Sequence, residues 1–185
     1  MEELMNLTHA STEQNYQNIR QQVLKDANLI VNEQGSSLVD FRNIDSVALA
    51  QAKLWEDNYE RHDDASWSWN KGFRSYAYRH PKRLDLAIWY ANAQLCGLSI
   101  GKPSNNGSKM TLDIIEGAPQ KHPLKRQIVK LSIAVFETYA ERIGATQLRI
   151  MRPVNKDVIS YYKSYGFTAV KGAGKNFPDY LWRNL

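Results

Sequence analysis

A dense group of side chains able to hold an anion lies between Gln120 and Arg126, where Lys121, His122, Lys125 and Arg126 crowd the approach to a long apolar-striped segment. Positive charge there would join the free N–H groups that a helix leaves at its first turn, a combination suited to phosphate. A solvated basic helix start with nothing bound is the competing reading. Just upstream stand Asp113 and Glu116, two strand-end carboxylates that could take up a proton or simply pair with a surface cation. His9, His62, His80 and His122 show no H-x-x-x-H or equivalent spacing, so no metal site is expected. Cys96 is the single cysteine and can form no internal disulfide. With no histidine at a diagnostic distance it reads as a small buried hydrophobe rather than a nucleophile.

Charge is unevenly spread around a formal net value of +5: residues 1–117 hold 12 Lys/Arg against 15 Asp/Glu, residues 118–185 hold 12 against 4. The basic part suits a polyanionic partner, whether nucleic acid or a phosphorylated cofactor, unless it is merely solvated surface. A chain of 185 residues, 43% hydrophobic and 23% charged, can bury one core without disulfide or metal staples. Repeats, low-complexity tracts and Pro-rich linkers are missing, so one domain over 1–185 is expected. The single cysteine fits a cytoplasmic, reducing compartment, and Met1–Ala10 reads as neither a secretory signal nor a basic targeting peptide, which leaves the sequons at Asn6 and Asn106 without meaning. The apolar runs fall short of the roughly 18 residues of a membrane span.

The elements that must position these groups follow from periodicity. A polar helix is predicted over Thr12–Asn28, then a strand and turn over Leu29–Phe41. Asp45 can cap a helix with Ala48, Ala52, Trp55 and Tyr59 on one face, fading near His62, Asp63 and Asp64. Trp67–Tyr78 forms a further helix, weakened by Gly72 and stopped before Pro81. Its aromatic run is either core packing or one wall of a pocket. Leu84–Ala91 and Gln94–Lys102 read as strands joined at Asn92-Ala93, with Lys109–Glu116 as a third antiparallel partner. Pro123 suits the first turn of a long helix ending at Gly144, with Leu124, Ile128, Leu131, Val135 and Tyr139 as its apolar stripe. Gln147–Met151 is a strand, Asn155–Tyr165 a short helix stopped by Gly166, Thr168–Val170 a strand, and Tyr180–Arg183 closes the sheet.

This order, together with Asn155-Lys-Asp-Val158-Ile-Ser-Tyr-Tyr162-Lys-Ser-Tyr-Gly166-Phe167, resembles the GNAT superfamily of N-acetyltransferases, whose pattern is N-x-x-A-x-x-x-Y-x-x-x-G-F. Asn155, Tyr162, Gly166 and Phe167 match, and Val158 stands where alanine is usual. The likeness covers roughly Leu84–Val170. It implies an α/β (α+β) fold with a mixed, mainly antiparallel central sheet flanked by helices. The family's phosphate loop, Q/R-x-x-G-x-G/A, aligns with Gln120-Lys-His-Pro123-Leu-Lys125, in which both glycines are replaced. Proline removes a backbone donor and lysine adds bulk, so Gln120, Lys121, His122, Leu124, Lys125 and Arg126 would grip the cofactor through side-chain charge instead.

The resemblance implies acetyl-CoA as cosubstrate and direct transfer of its acetyl group to a small-molecule or protein amine. Tyr162 would be the general acid at the thioester sulfur and Glu116, or Asp113, the base. Ile114 and Ile115 would offer backbone groups to the pantetheine arm where their strand splays from its neighbour, and Asn155 belongs to the same cofactor-binding set. Adjacent Tyr161 reads as core. Two other readings stand beside this one: a GNAT-like toxin that acetylates aminoacyl-tRNA, to which the basic half would be suited, and a GNAT-fold binding module that has lost catalysis, which the missing loop glycines would fit. Nucleic acid is the less favoured partner, because CoA itself carries phosphates and accounts for much of the charge.

Overall fold

The structure, a computed structural model, describes residues 2–63, 65–176 and 178–185. Asp64, where the second helix was expected to fade, therefore lies outside the described residues. The elements run α1 (Glu2–Glu33), β1 (Val39–Arg42), α2 (Ser46–Glu56), α3 (Trp69–Arg79), β2 (Leu84–Tyr90), β3 (Gln94–Pro103), β4 (Lys109–Gly117), α4 (Ile128–Arg142), β5 (Gln147–Met151), α5 (Lys156–Lys163), β6 (Thr168–Val170) and β7 (Tyr180–Asn184). The strands form one seven-stranded sheet in the order β1-β2-β3-β4-β5-β7-β6. Only the β4–β5 pairing is parallel; the other five are antiparallel. The expected mixed, mainly antiparallel sheet flanked by helices is what the chain forms.

Both faces of the sheet are covered, which is why β2 is buried from Leu84 to Trp89 without alternation. Leu84, Leu86 and Ile88 point into a core shared with α1 and α4, whereas Ala87 and Trp89 point into one shared with α2 and α3. The α4 helix comes down directly on two glycines of β3. A Cβ on Gly97 would stand 2.6 Å from Ile128, and one on Gly101 1.8 Å from the Thr111 carbonyl oxygen and 2.6 Å from the Phe136 ring. These two positions therefore fix how close α4 lies to the sheet, and with it the height of the α4 N-terminus above β4.

Several sequence expectations are corrected. The first helix is far longer than Thr12–Asn28, and Leu29–Glu33 is helical rather than strand. Asn28 does not end the helix: its side-chain amide donates to the Phe41 carbonyl (3.0 Å) and accepts from the Phe41 N–H (2.8 Å), a tertiary tie to the edge strand. Farther up α1, Arg20 is wholly buried. It donates to the carbonyls of Pro81 (3.1 Å) and Arg83 (3.0 Å), to Gln17, and to the Glu13 carboxylate. Asp45 caps α2 as expected, but the helix ends at Glu56, so Tyr59 is exposed rather than on its apolar face. The β2–β3 turn is Ala91-Asn92, both left-handed (φ 52° and 60°), one residue earlier than predicted. Helix α4 starts at Ile128, not Pro123. Pro123–Gln127 instead forms tight turns, because the Lys125 ammonium reaches back to the carbonyls of Pro119 (2.8 Å) and Ala118 (3.3 Å) and Arg126 adopts φ 69°.

Candidate functional site

Strands β4 and β5 pair only from Lys109↔Gln147 to Leu112↔Ile150. Beyond that they part: β4 continues to Gly117 on β3 alone, while β5 stops at Met151. The divergence begins at a bulge, since Ile100 and Gly101 face Ile114 and Leu112 and leave Asp113 as the extra residue. Leu112 belongs to the α1/α4 core, Asp113 bonds α3 through Tyr76, and Ile114 packs with the α2/α3 core. Consecutive residues Asp113 and Ile114 thus share the face on which α2 and α3 lie.

The opening is a cleft of about 700 Å3. Ile114, Ile115, Glu116 and Tyr162, all singled out from the sequence, border it together with Asp113 and Trp67. A second hollow of about 550 Å3 continues from it, sharing Gly117, Val129 and Tyr161, and is bordered by His122, Lys125 and Arg126. Gln120, Lys121, Leu124 and Asn155 border neither. Asn155 has a visible local duty instead: its side-chain oxygen accepts from Val158 N–H (2.9 Å) and caps α5.

Tyr162 is placed by that capped helix and by its exit. Gly166, at φ 82°, lets the chain turn back so that Phe167 packs edge-on to the Tyr162 ring (centroids 6.1 Å apart). Tyr162 is 3% exposed, and burial raises its phenol pKa well above the ordinary value of 10.0, with the neighbouring Tyr161 adding to the rise. It therefore carries its proton at neutral pH. Tyr161, read from the sequence as core, is 38% exposed and borders both hollows, its hydroxyl 3.1 Å from that of Tyr165.

The two acids differ. Asp113 accepts one hydrogen bond from the Tyr76 hydroxyl (2.7 Å), whereas Glu116 accepts from Arg61 Nε (2.8 Å), Arg61 Nη2 (3.1 Å) and Trp69 Nε1 (2.8 Å). Arg61 carries no sequence signal for this role, lying 55 residues from its partner. Trp67 was visible as part of the aromatic run.

At the basic end, α2, α3 and α5 begin on side-chain caps from Asp45, Ser68 and Asn155, but α4 has none. Its first amides are therefore available to an anion. His122 is 6% exposed, and neither ring nitrogen has a partner among the described residues. Burial and the nearby Lys125 lower its pKa, so the imidazole is neutral at pH 7. Uncapped amides, an unpartnered imidazole and the Arg126 cation fit a phosphate group. Elsewhere, Cys96 is buried, as expected of a small hydrophobe, with its thiol pKa pushed up to about 11 by burial. Among the described residues there is no group of three or more His, Cys, Asp or Glu able to hold a metal ion, and no helix is long and apolar enough to cross a membrane.

No protein-family model and no curated protein matches the sequence. Solved structures do match the fold. Ard1 from Thermoplasma volcanium superimposes with a TM-score of 0.58 at 13% identity, covering 80% of this chain and 98% of its own. The ribosomal-protein-S18-alanine N-acetyltransferase of Escherichia coli gives 0.55 at 19%, covering 79% and 93%. The PaiA N-acetyltransferase of Thermoplasma acidophilum, solved with coenzyme A, gives 0.54 at 15%, covering 80% and 99%. The chain has the GNAT fold. At these identities the likeness is one of architecture.

Proposed function

We propose that the protein is an N-acetyltransferase that moves the acetyl group of acetyl-CoA to an amine by direct attack. The observation that carries this is the opening between β4 and β5, with the Tyr162 phenol on its border and the uncapped, cationic start of α4 at its far end. One solved protein of the same fold contains coenzyme A, and others are named for amine acceptors, a ribosomal-protein alanine and spermidine. Those names supply the class of acceptor proposed here.

Acetyl-CoA would supply an acyl group already activated as a thioester. The Arg126 side chain, the amides at the start of α4 and the His122 ring would hold its phosphates, while the unpaired edge of β4 at Ile114 and Ile115 would hydrogen-bond the pantetheine arm. Tyr162 holds the proton that the departing thiolate needs. Burial keeps that proton in place until negative charge develops beside it. The acceptor must reach the cleft as a neutral amine and shed a proton after attack. Asp113 is the carboxylate suited to receive it, directly or through water, because among the described residues one donor, the Tyr76 hydroxyl, bonds it, against three on Glu116.

Calorimetric titration with CoA, followed by thiol-release assays on acetyl-CoA with n-butylamine, spermidine and an N-terminal alanine peptide, tests the reading. CoA binding and amine-dependent thiol release are expected. A protein that binds no CoA is not this enzyme.

A further inference from the structure

Glu116 lies at the cleft but is not free to act there. Its carboxylate is 12% exposed and accepts from both nitrogens of the Arg61 fork and from the Trp69 indole. Removing that side chain would leave a largely buried guanidinium and an indole N–H without their acceptor, a substantial penalty for each group. Arg61 has a further partner. Its Nη2 also donates to the Trp67 carbonyl at 2.8 Å. One guanidinium thus ties the last residues of β4 to the segment that leads into α3.

The Trp67 ring is fixed by what surrounds it. It rests over Gly72, where a Cβ would stand 2.3 Å from Trp67 Cζ2, and its plane meets that of Trp69 at 83° with centroids 4.9 Å apart. The sequence treats Gly72 as a weak point of α3; in the fold it is the notch that seats an indole. Ala65, Ser66 and Trp67 border the same cleft as Tyr162 and Asp113. An indole held by its backbone carbonyl, its face and its edge is a pre-formed contact surface, for which little conformational freedom remains to be lost on binding.

We propose that Glu116 is a positioning residue that, through Arg61 and Trp69, fixes the Trp67 segment as the acceptor-recognition wall of the cleft, and that the acceptor is an amine whose alkyl or aryl chain packs on the Trp67 ring. This rests on the acetyl-transfer reading and deepens it. A chain-bearing amine gains the apolar contact with the indole that a bare, short amine cannot make.

The test compares Glu116→Gln, Glu116→Ala, Arg61→Ala and Trp67→Ala with the wild type, using n-butylamine and methylamine as probes. Trp67→Ala and Glu116→Ala should raise KM for n-butylamine about tenfold, the size of one lost contact or hydrogen bond. KM for methylamine, KM for acetyl-CoA and kcat should change less than about twofold. Glu116→Gln keeps an oxygen for Arg61 and should stay nearer the wild type, with the acidic limb of its pH profile intact. A Glu116→Gln variant that loses that limb, or loses kcat by more than about a hundredfold, identifies a base and overturns the proposal. Hydrogen exchange decides the clamp without an acceptor: with CoA present, Glu116→Ala and Arg61→Ala should speed exchange across Ala65–Trp69 about tenfold while β2 stays protected. Unchanged exchange there also overturns the proposal. If neither amine is turned over, exchange alone decides it; failure of the wild type to bind CoA counts against the acetyl-transfer reading and leaves the exchange result standing.

Discussion

The two ends of the groove are built on opposite principles. At the Trp67 end every strong group is answered: Glu116 by three donors, Arg61 by a carboxylate and a carbonyl, the Trp67 ring by Gly72 and Trp69. At the α4 end donors outnumber acceptors, with an uncapped helix start, an unpartnered His122 ring and the exposed Arg126. Satisfied groups make a rigid wall, and unsatisfied ones make a place that is stabilised by a ligand. The first arrangement sorts what enters by shape, and the second attracts by charge.

The contrast is tested most severely where the two ends meet. Tyr162→Phe removes one hydroxyl and should lower turnover by roughly one to three decades with CoA affinity nearly unchanged, as loss of a general acid commonly does. Stopped assays with saturating acetyl-CoA would measure it; unchanged turnover would take Tyr162 out of the chemistry. A smaller effect is expected from Lys125→Ala combined with Arg126→Ala. Calorimetry should show CoA binding weakened by about 1 to 3 kcal/mol, typical of hydrogen bonds to charged groups. A change in amine KM with CoA affinity intact would erase the division between the ends.

The smallest effect concerns pH. The folded His122 pKa lies below its unfolded value of about 6.5, so the unfolded chain takes up a proton first as pH falls. Its contribution to stability is complete above about pH 6.5 and is lost as pH drops toward the folded value. His80, lowered by burial and by Lys102, acts in the same direction. In thermal melts from pH 7.5 down to 5, His122→Gln should therefore lose less Tm than the wild type. Saturating CoA should reduce the wild-type loss as well, because a bound phosphate gives a protonated imidazole its partner. Parallel melting curves for wild type and variant would show that the ring is indifferent to its burial.

The C-terminal half was legible because its information is local. Alternating apolar residues and the Gly144 and Gly166 stops each act within a few residues, and β4, β5 and β6 begin where they were expected. The errors occur where distant groups decide. Pro123 is a sound helix start by local rules, yet Lys125 is recruited by carbonyls six and seven residues back and the helix waits until Ile128. Asn28 reads as a terminator, yet its amide is taken up by Phe41. The role of Arg61 could not be read at all, since a guanidinium 55 residues from its carboxylate leaves no periodic trace.

The buried Arg20 makes α1 part of the sheet's own cooperativity. Pulling the helix away would take its donor from the Pro81 carbonyl and one of two from the Arg83 carbonyl, just ahead of β2, and would expose a buried guanidinium that the Glu13 carboxylate and Gln17 orient from within α1 itself. Tyr139 on α4 donates to the Lys82 and Arg83 carbonyls at the same corner. The middle of α1 is thereby coupled to the start of β2 and to α4, and it melts with the domain rather than before it.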